Sequence, residues 1–456
     1  MKMTMNEVAK AVHSATELGE WGSRIVTSVS FDTRQLQIGG LFVPLIAQRD
    51  GHDFVESAVA KGAVGSFWQS DHEHRPYNFP TIEVKDIQQA LIDLAKYYLY
   101  KVNPRVIAVT GSNGKTTTKD MIAAVLSTQS NTHKTVANYN NEIGVPYTIL
   151  GMDTNTENLV LEMGMDRPGQ LHTMSMIAEP DIAVITMIGE AHIEFFGTRD
   201  KIADAKLEIT DGLKEDGVLI YNGDEPLLTA KVPENMETKT FGLQAANALV
   251  ATDVVAEKEK TYFKTNLWPE KQFELPLMGD YNVNNALAAI LVGQQVHVPV
   301  NEIITALKQF QITSKRTEWL KASNGCDILS DVYNSNPTAV KKVLKNFSAI
   351  SNTGRKKVVL GDMLELGAQS RDLHAGVADA LDPEIITEVY LYGKDIQALY
   401  DVLQHKYDAA HLHYYCLADK ALMVTDIKAN LHPNDAILLK ASHGLHLETV
   451  VADLQA

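Results

Sequence analysis

Apolar residues fall in short unbroken runs separated by helical patterns. Val106-Ile107-Ala108-Val109, Leu159-Val160-Leu161, Ile182-Ala183-Val184-Ile185 and Val218-Leu219-Ile220 each have the length of a buried strand. Amphipathic stretches lie between them, such as the one continuing from Met121 to Ser127. Apolar strands alternating with helices predict a mainly parallel sheet with helices on both faces. A more polar, β-leaning stretch runs from Thr261 to Leu277, and a helix is expected from Val283 to Val296.

The texture differs on either side of this region. Residues 1 to about 100 mix short strand-like runs, such as Gly40-Leu41-Phe42-Val43-Pro44-Leu45, with helical ones, such as Gln88 to Leu99. Asn103-Pro104 then interrupts, because proline pushes the preceding residue out of the helical region. A third unit starts near Ser314. Asp327-Ile328-Leu329, Lys357-Val358-Val359-Leu360, Val389-Tyr390-Leu391 and Ala436-Ile437-Leu438-Leu439 alternate there with helical runs. The expected fold is α/β throughout, with three domains: an N-terminal α/β domain (1–100), a central parallel-sheet domain (101–313) and a C-terminal Rossmann-like domain (314–456).

Length agrees, since 456 residues at roughly 150 per domain give about three. Charge narrows the partners. Lys+Arg is 41 and Asp+Glu is 57, a net −16, which argues against a general nucleic-acid binder. A local basic pocket for an anion stays open. No apolar run approaches the ~18 residues of a membrane span, and the first 22 residues hold no apolar signal-peptide core. The two cysteines, Cys326 and Cys416, make neither a disulfide framework nor a zinc site. A soluble, cytoplasmic protein is expected.

The strongest chemical signal is Thr110-Gly111-Ser112-Asn113-Gly114-Lys115-Thr116-Thr117-Thr118, between a strand and a helix. Glycines let the backbone curl so that its N–H groups and the helix N-terminus face an anion. Lys115 supplies charge for phosphates and Thr116 a hydroxyl for Mg²⁺. The loop is shorter than the common form, whose first glycine would fall at Val109. The chain contains no Asn-Lys dipeptide, so the guanine motif of regulatory GTPases is missing.

Three downstream residues could join this loop. Glu162 ends a strand, where ligands gather in parallel sheets. His192 follows another strand in Gly189-Glu190-Ala191-His192. Lys206 lies on a predicted helix. Each alone reads as ordinary: a surface carboxylate, a structural histidine, a solvated lysine. Together they supply what γ-phosphate transfer needs, metal ligands and charge beside a phosphate loop.

In this order the residues resemble the Mur ligases, the ATP-dependent amino-acid and peptide ligases of peptidoglycan precursor synthesis. The resemblance spans nearly the whole chain. It takes in the short phosphate loop, Glu162, His192, Lys206, Asn282 in Tyr281-Asn282-Val283-Asn284-Asn285-Ala286, Arg316 and Asp331. Three segments are similar to the branch that adds a dipeptide: Asn138-Tyr139-Asn140-Asn141-Glu142-Ile143-Gly144-Val145-Pro146, Asp331-Val332-Tyr333-Asn334-Ser335-Asn336-Pro337 and Gly361-Asp362-Met363-Leu364-Glu365-Leu366-Gly367. The Asp-Asn-Pro-Arg segment of many diaminopimelate-adding members is absent. Asp32-Thr33-Arg34 and Asp50-Gly51-His52 resemble the family's UDP-sugar domain.

The resemblance implies a monomeric ligase that uses ATP and Mg²⁺. It would join D-alanyl-D-alanine to UDP-MurNAc-tripeptide through an acyl phosphate, releasing ADP and phosphate. It implies that Gly111 to Thr117 cradle phosphates, with Lys115 the main charge. Thr116, Glu162, His192 and a carbamylated Lys206 would hold Mg²⁺. Asn282 would meet adenine, Arg316 the phosphates and Asp331 the ribose. Thr33, Arg34, Asp50, Gly51 and His52 would take the UDP end. Asn138, Asn140, Asn141, Tyr333, Asn334, Asn336 and Ser442 would form the peptide side. There are departures: Tyr281 stands where the family has His, and Lys440-Ala441-Ser442-His443 replaces a Lys-Gly-Ser-Arg. The rivals are a diaminopimelate- or lysine-adding relative, a folate polyglutamate ligase, and a non-enzymatic ATP-gated protein.

Overall fold

A computed structural model describes residues 1–311 and 317–456. Among these, the chain forms three mainly parallel sheets and a two-stranded ribbon. Ser28–Ser30, Gly40–Phe42, Gly65–Gln69 and Thr81–Val84 make the first sheet in that order, all parallel. The central sheet has nine strands. From one edge they are Thr132–Lys134, Asn158–Glu162, Arg105–Thr110, Ile182–Ile185, Val218–Asn222, Thr238–Gly242 and Leu249–Ala256, all parallel. Thr261–Thr265 and Phe273–Leu275 then continue antiparallel. The third sheet orders Glu318–Lys321, Asp327–Asp331, Ala436–Lys440, Lys356–Gly361, Ile386–Tyr392 and Leu412–Tyr415, parallel except at its first edge.

The unbroken apolar runs have a simple cause. In Arg105–Thr110, Val106 and Ala108 pack in one layer with Leu91, Leu94 and Tyr98. Ile107 and Val109 face the other layer, with Met121, Ile122 and Leu287. Both faces are covered, so no position is left polar.

Topology then places the site. From Arg105–Thr110 the chain goes to one side for two strands and returns to the other side as Ile182–Ile185. The C-terminal ends of Asn158–Glu162, Arg105–Thr110 and Ile182–Ile185 therefore border the switch point, where a crevice opens in sheets of this kind.

The division expected at residue 100 falls inside the helix Ile87–Val102. Tyr98 on that helix is buried and donates its hydroxyl to Met152 O at 2.9 Å, so the helix is seated on the central unit. Asn103 ends it with a left-handed φ of +53°. The second expected division, and Arg316, lie outside the described residues. Among the described helices none is long and apolar enough to cross a membrane.

Candidate active site

The loop after Arg105–Thr110 can only be built with glycine at two places. Gly111 and Gly114 have φ of +150° and +83°. A Cβ on Gly111 would lie 1.8 Å from Thr186 Oγ1, and one on Gly114 2.4 Å from Asn285 Oδ1. Thr186 in turn donates its hydroxyl to Asn113 O at 2.6 Å. The helix Lys115–Leu126 starts directly after the loop, so its free N–H groups and dipole favour an anion there. Lys115 reaches back across the loop, with Nζ 2.8 Å from Gly111 O. Ser112, Thr116 and Thr117 are buried around it.

Glu162 is the last residue of its strand and is only 2% exposed. Its N–H donates to Thr135 Oγ1 at 3.0 Å and its Oε1 accepts from Asn140 Nδ2 at 2.9 Å. Its Oε2 is buried with no hydrogen-bond partner among the described residues. A buried carboxylate oxygen of this kind costs free energy unless something pairs with it. A bound cation would supply that partner. His192 stands nearby in a left-handed conformation (φ +64°), lining the same cavity.

Lys206 is on the helix Arg199–Leu207 and is 2% exposed. Burial, and then the charge of Lys115, hold its amine well below the ordinary lysine range. The carboxylates that would explain a solvated lysine are taken. Asp204 pairs with Lys231 at 2.7 Å, and Glu208 accepts the N–H of Gly169 at 2.9 Å.

Beside the phosphate loop a pocket is lined by Tyr281, Asn282, Asp331, Lys342 and Lys440 together with Asn113 and Gly114. Its charged lining is Lys342 and the Asp331–Lys440 ion pair, among mostly polar neutral side chains. Burial lowers the amine of Lys342. Asn282 is buried; its Nδ2 donates to Met278 O at 2.9 Å and its Oδ1 accepts from Asn285 Nδ2 at 3.1 Å. Tyr281 fills the place of the family's His, with its hydroxyl 3.4 Å from Thr317 Oγ1. Asp331 is paired with the buried Lys440 at 2.6 Å, and Lys440 also donates to Asn334 O.

That pair sets a prediction. Asp331→Ala leaves a buried ammonium short of its counter-ion, a loss of about 3–5 kcal/mol in comparable cases. Its unfolding midpoint is expected to fall, and its ADP affinity with it. Asp331→Asn, which still offers Lys440 an oxygen, should lose the affinity and much less of the stability. If calorimetry finds both variants binding ADP like the parent, Asp331 does not hold the nucleotide.

A second cavity, of about 710 Å³, shares Asn113, Gly114, Tyr333 and Asn334 with that pocket. Asn138, Asn140, Asn141, Tyr333, Asn334 and Ser442 all line it, with Lys115, Thr116, Glu162 and His192. His443, in place of the family's Arg, lies against Tyr333 with ring centroids 5.4 Å apart. A planar stack stands where a fixed charge was expected. Ala441 is buried, and a Cβ on Gly361 would lie 2.7 Å from its methyl.

Several expected roles need correction. Asn336 does not face the dipeptide: it is 1% exposed and forms a reciprocal amide pair with Asn113 at 2.9 and 3.2 Å. It also caps the helix Pro337–Ala349 by accepting from Ala339 N–H. Asn141 spends its Oδ1 on the N–H groups of Ile143 and Gly144, starting the helix Gly144–Leu150. Asn140 serves Glu162. Ser442 Oγ accepts the N–H of Leu364 at 2.9 Å. Sequence reasoning gave no role to Glu190, whose carboxylate accepts from Thr338 N–H and Oγ1 at 3.2 and 3.0 Å. These contacts tie the third unit onto the phosphate loop and the His192 segment, so the two sheets close on one site. Nothing in a single sequence marks pairs so far apart.

The UDP end needs a second correction. His52 is buried, its Nε2 accepts from Gln69 N–H at 3.3 Å, and its Nδ1 therefore carries the proton it gives to Asp50 at 2.7 Å. The ring keeps no nitrogen for a nucleotide. The neighbouring His72, 3.1 Å from Asp50, gathers with these two residues, but the fixed tautomer of His52 has no lone pair to give a cation. Gly51 serves the fold too, because a Cβ there would strike Pro44 and Leu45. Thr33 is half-buried, and Arg34 stays exposed and paired with Asp32 at 2.7 Å. Phe31 beside them packs on Tyr139 and Tyr147 at 6.0 and 5.0 Å. That contact brings this turn to the Asn138–Asn141 loop.

Comparison with known proteins agrees with this arrangement. The Mur ligase middle domain matches residues 109–293, and the Mur ligase glutamate ligase domain matches residues 315–443. A Bacillus subtilis (strain 168) protein named UDP-N-acetylmuramoyl-tripeptide–D-alanyl-D-alanine ligase is 41% identical over 455 residues, 100% of this chain and 98% of that one. The crystal structure of MurF from Acinetobacter baumannii is similar with a TM-score of 0.86 and 26% identity, covering 100% of this chain and 99% of that one. A MurF ligase from Thermotoga maritima, solved in complex with ADP, has a TM-score of 0.81 and 27% identity over 94% of this chain and 97% of its own.

Proposed function

The chain belongs to the MurF branch of the Mur ligases, and we propose that it joins D-alanyl-D-alanine to UDP-MurNAc-tripeptide at the expense of ATP. The observation that carries this is the pair of pockets meeting at the phosphate loop. One is a small pocket lined by polar side chains beside the loop, and the other is a cavity of about 710 Å³ that reaches Glu162 and His192.

The chemistry accounts for the parts. A carboxylate resists attack by an amine because its leaving group would be oxide. ATP's γ-phosphoryl group moves to the tripeptide carboxylate, giving an acyl phosphate and ADP. The dipeptide amine then attacks the acyl carbon, and phosphate leaves. Charge builds up on phosphoryl oxygens in the first step and on the carbonyl oxygen in the second. Lys115 and the N-terminus of Lys115–Leu126 stabilise such charge in a site screened from water. Thr116, Glu162, His192 and a carbamylated Lys206 would hold Mg²⁺, and the bare Glu162 Oε2 fits that role. Bound there, Mg²⁺ neutralises charge on the transferring phosphate.

Thr33 and Arg34, on the turn nearest the Asn138 loop, are assigned to the UDP end. Asn138, Tyr333 and Asn334 shape the peptide side. Closure of the third unit precedes chemistry. The reading is of a monomeric, cytoplasmic enzyme.

Phosphate release with UDP-MurNAc-tripeptide and a panel of amines tests it. D-Alanyl-D-alanine should support turnover, and diaminopimelate, lysine and glutamate should not. Turnover with one of those three in place of the dipeptide would move the chain to another branch. Hydrolysis of ATP that ignores both substrates would remove the ligase reading.

A further inference from the structure

Glu365 has no role in the reading above, yet it reaches the reacting centre from the third unit. It lines the same cavity as Lys115, Glu162 and His192. Its Oε2 lies 2.5 Å from His192 Nδ1. Its backbone C=O accepts the N–H of Glu194 at 3.1 Å, so the His192 segment meets it at two points, one a hydrogen bond and one a close approach of its carboxylate to the ring. The loop that carries it is pinned as well. Met363 N–H donates to His374 Nε2, and Leu364 N–H to Ser442 Oγ, both at 2.9 Å. Glu365 and His192 both hold left-handed backbones, at φ +62° and +64°. Such residues persist where the surroundings force them, and they gather at functional places.

We propose that Glu365 is a positioning residue for His192. His192 Nδ1 is buried with no aligned hydrogen-bond partner among the described residues, and the Glu365 carboxylate 2.5 Å away is the acceptor that a small turn of the ring would give it. That bond would fix the ring and leave Nε2 with the lone pair for a divalent cation. The inference rests on the assignment of His192 to the cation. A carboxylate behind a ligand histidine settles its tautomer and makes it a better donor. Because the carboxylate belongs to the third unit, the contact forms only on closure. Cation binding and closure then strengthen each other.

Mn²⁺ serves as the probe, with its affinity read by electron paramagnetic resonance in the presence of saturating ADP. Glu365→Ala should weaken Mn²⁺ binding about ten- to a hundred-fold, while ADP affinity in EDTA stays unchanged. Glu365→Gln, nearly identical in shape and still an acceptor for Nδ1–H, should lose less. It also guards against a folding defect in the alanine variant. His192→Ala should lose at least as much as Glu365→Ala. If His192→Ala weakens Mn²⁺ binding and Glu365→Ala does not, the inference fails and the cation assignment stands. If neither does, both fail. A pair that merely fastens the domains would lower ADP affinity in EDTA and spare Mn²⁺, which also overturns the proposal.

Discussion

Lys115→Ala is expected to abolish ligation and leave the fold intact. The side chain is half-buried at the start of the helix Lys115–Leu126, with Nζ lying over Gly111 O at 2.8 Å. Removing it takes nothing out of the apolar layers, which Ile107, Val109, Met121 and Ile122 supply. The unfolding midpoint should therefore stay close to the parent's. The rate should not. The transferring phosphoryl group loses the cation held at the loop, and losing one such stabilising contact typically costs 10²-fold or more. Phosphate release with both substrates measures it. A variant keeping more than about a tenth of parental turnover would contradict the role, given that expected loss.

What could be read from the chain follows from how local each feature is. The central strands were legible because both faces are buried, and residues such as Val106 and Ile107 are apolar whichever way they point. The edge strands were not. Leu249–Ala256 is buried over its first three residues and largely exposed after that, and Thr132–Lys134 is half-buried throughout. Thr132–Lys134 has no apolar run, and Thr252-Asp253 breaks the run in Leu249–Ala256. The phosphate loop was legible because glycine, lysine and threonine act within a few residues of one another. Glu162 and His192 could be placed at strand ends, but their burial and partners depend on the register of other strands. The partners of Asn336 and His52 were invisible. Asn336 looks toward Asn113, 223 positions away, and His52 toward a backbone N–H, 17 away. Each residue type suits a ligand equally well, so composition could not tell holding a fold from holding a substrate. Glu365 sat in a segment similar to the family's, but its meeting with His192 needs both sheets closed.

Lys206→Ala is expected to be nearly inactive and to regain part of its rate with acetate or formate. A plain ammonium would repel Mg²⁺, so an unmodified, protonated lysine cannot be its ligand. The surroundings favour a different state. The residue is 2% exposed, and burial followed by the charge of Lys115 holds its amine well below the ordinary lysine value of 10.5. A neutral amine can attack the carbon of CO₂. The N–C bond forms, one N–H proton passes to solvent, and the product is a carbamate with the charge of a carboxylate, an oxygen donor of the kind Mg²⁺ prefers. The sign with pH follows. Acid protonates the amine and drives the reaction back, so the modification and the activity it supports should fall as pH drops through the lowered folded-state value. Buffer stripped of CO₂ should slow the parent enzyme, and bicarbonate should restore it; neither should affect the alanine variant. Electron density of a nucleotide- and Mg²⁺-bound crystal should show the carbamate. The competing account is a lysine paired with its helix neighbours, and it is already weak, since Asp204 is held by Lys231 and Glu208 by Gly169 N–H. A fully active Lys206→Ala, together with an unmodified side chain in that crystal, would end the carbamate assignment and leave Lys206 a buried structural amine.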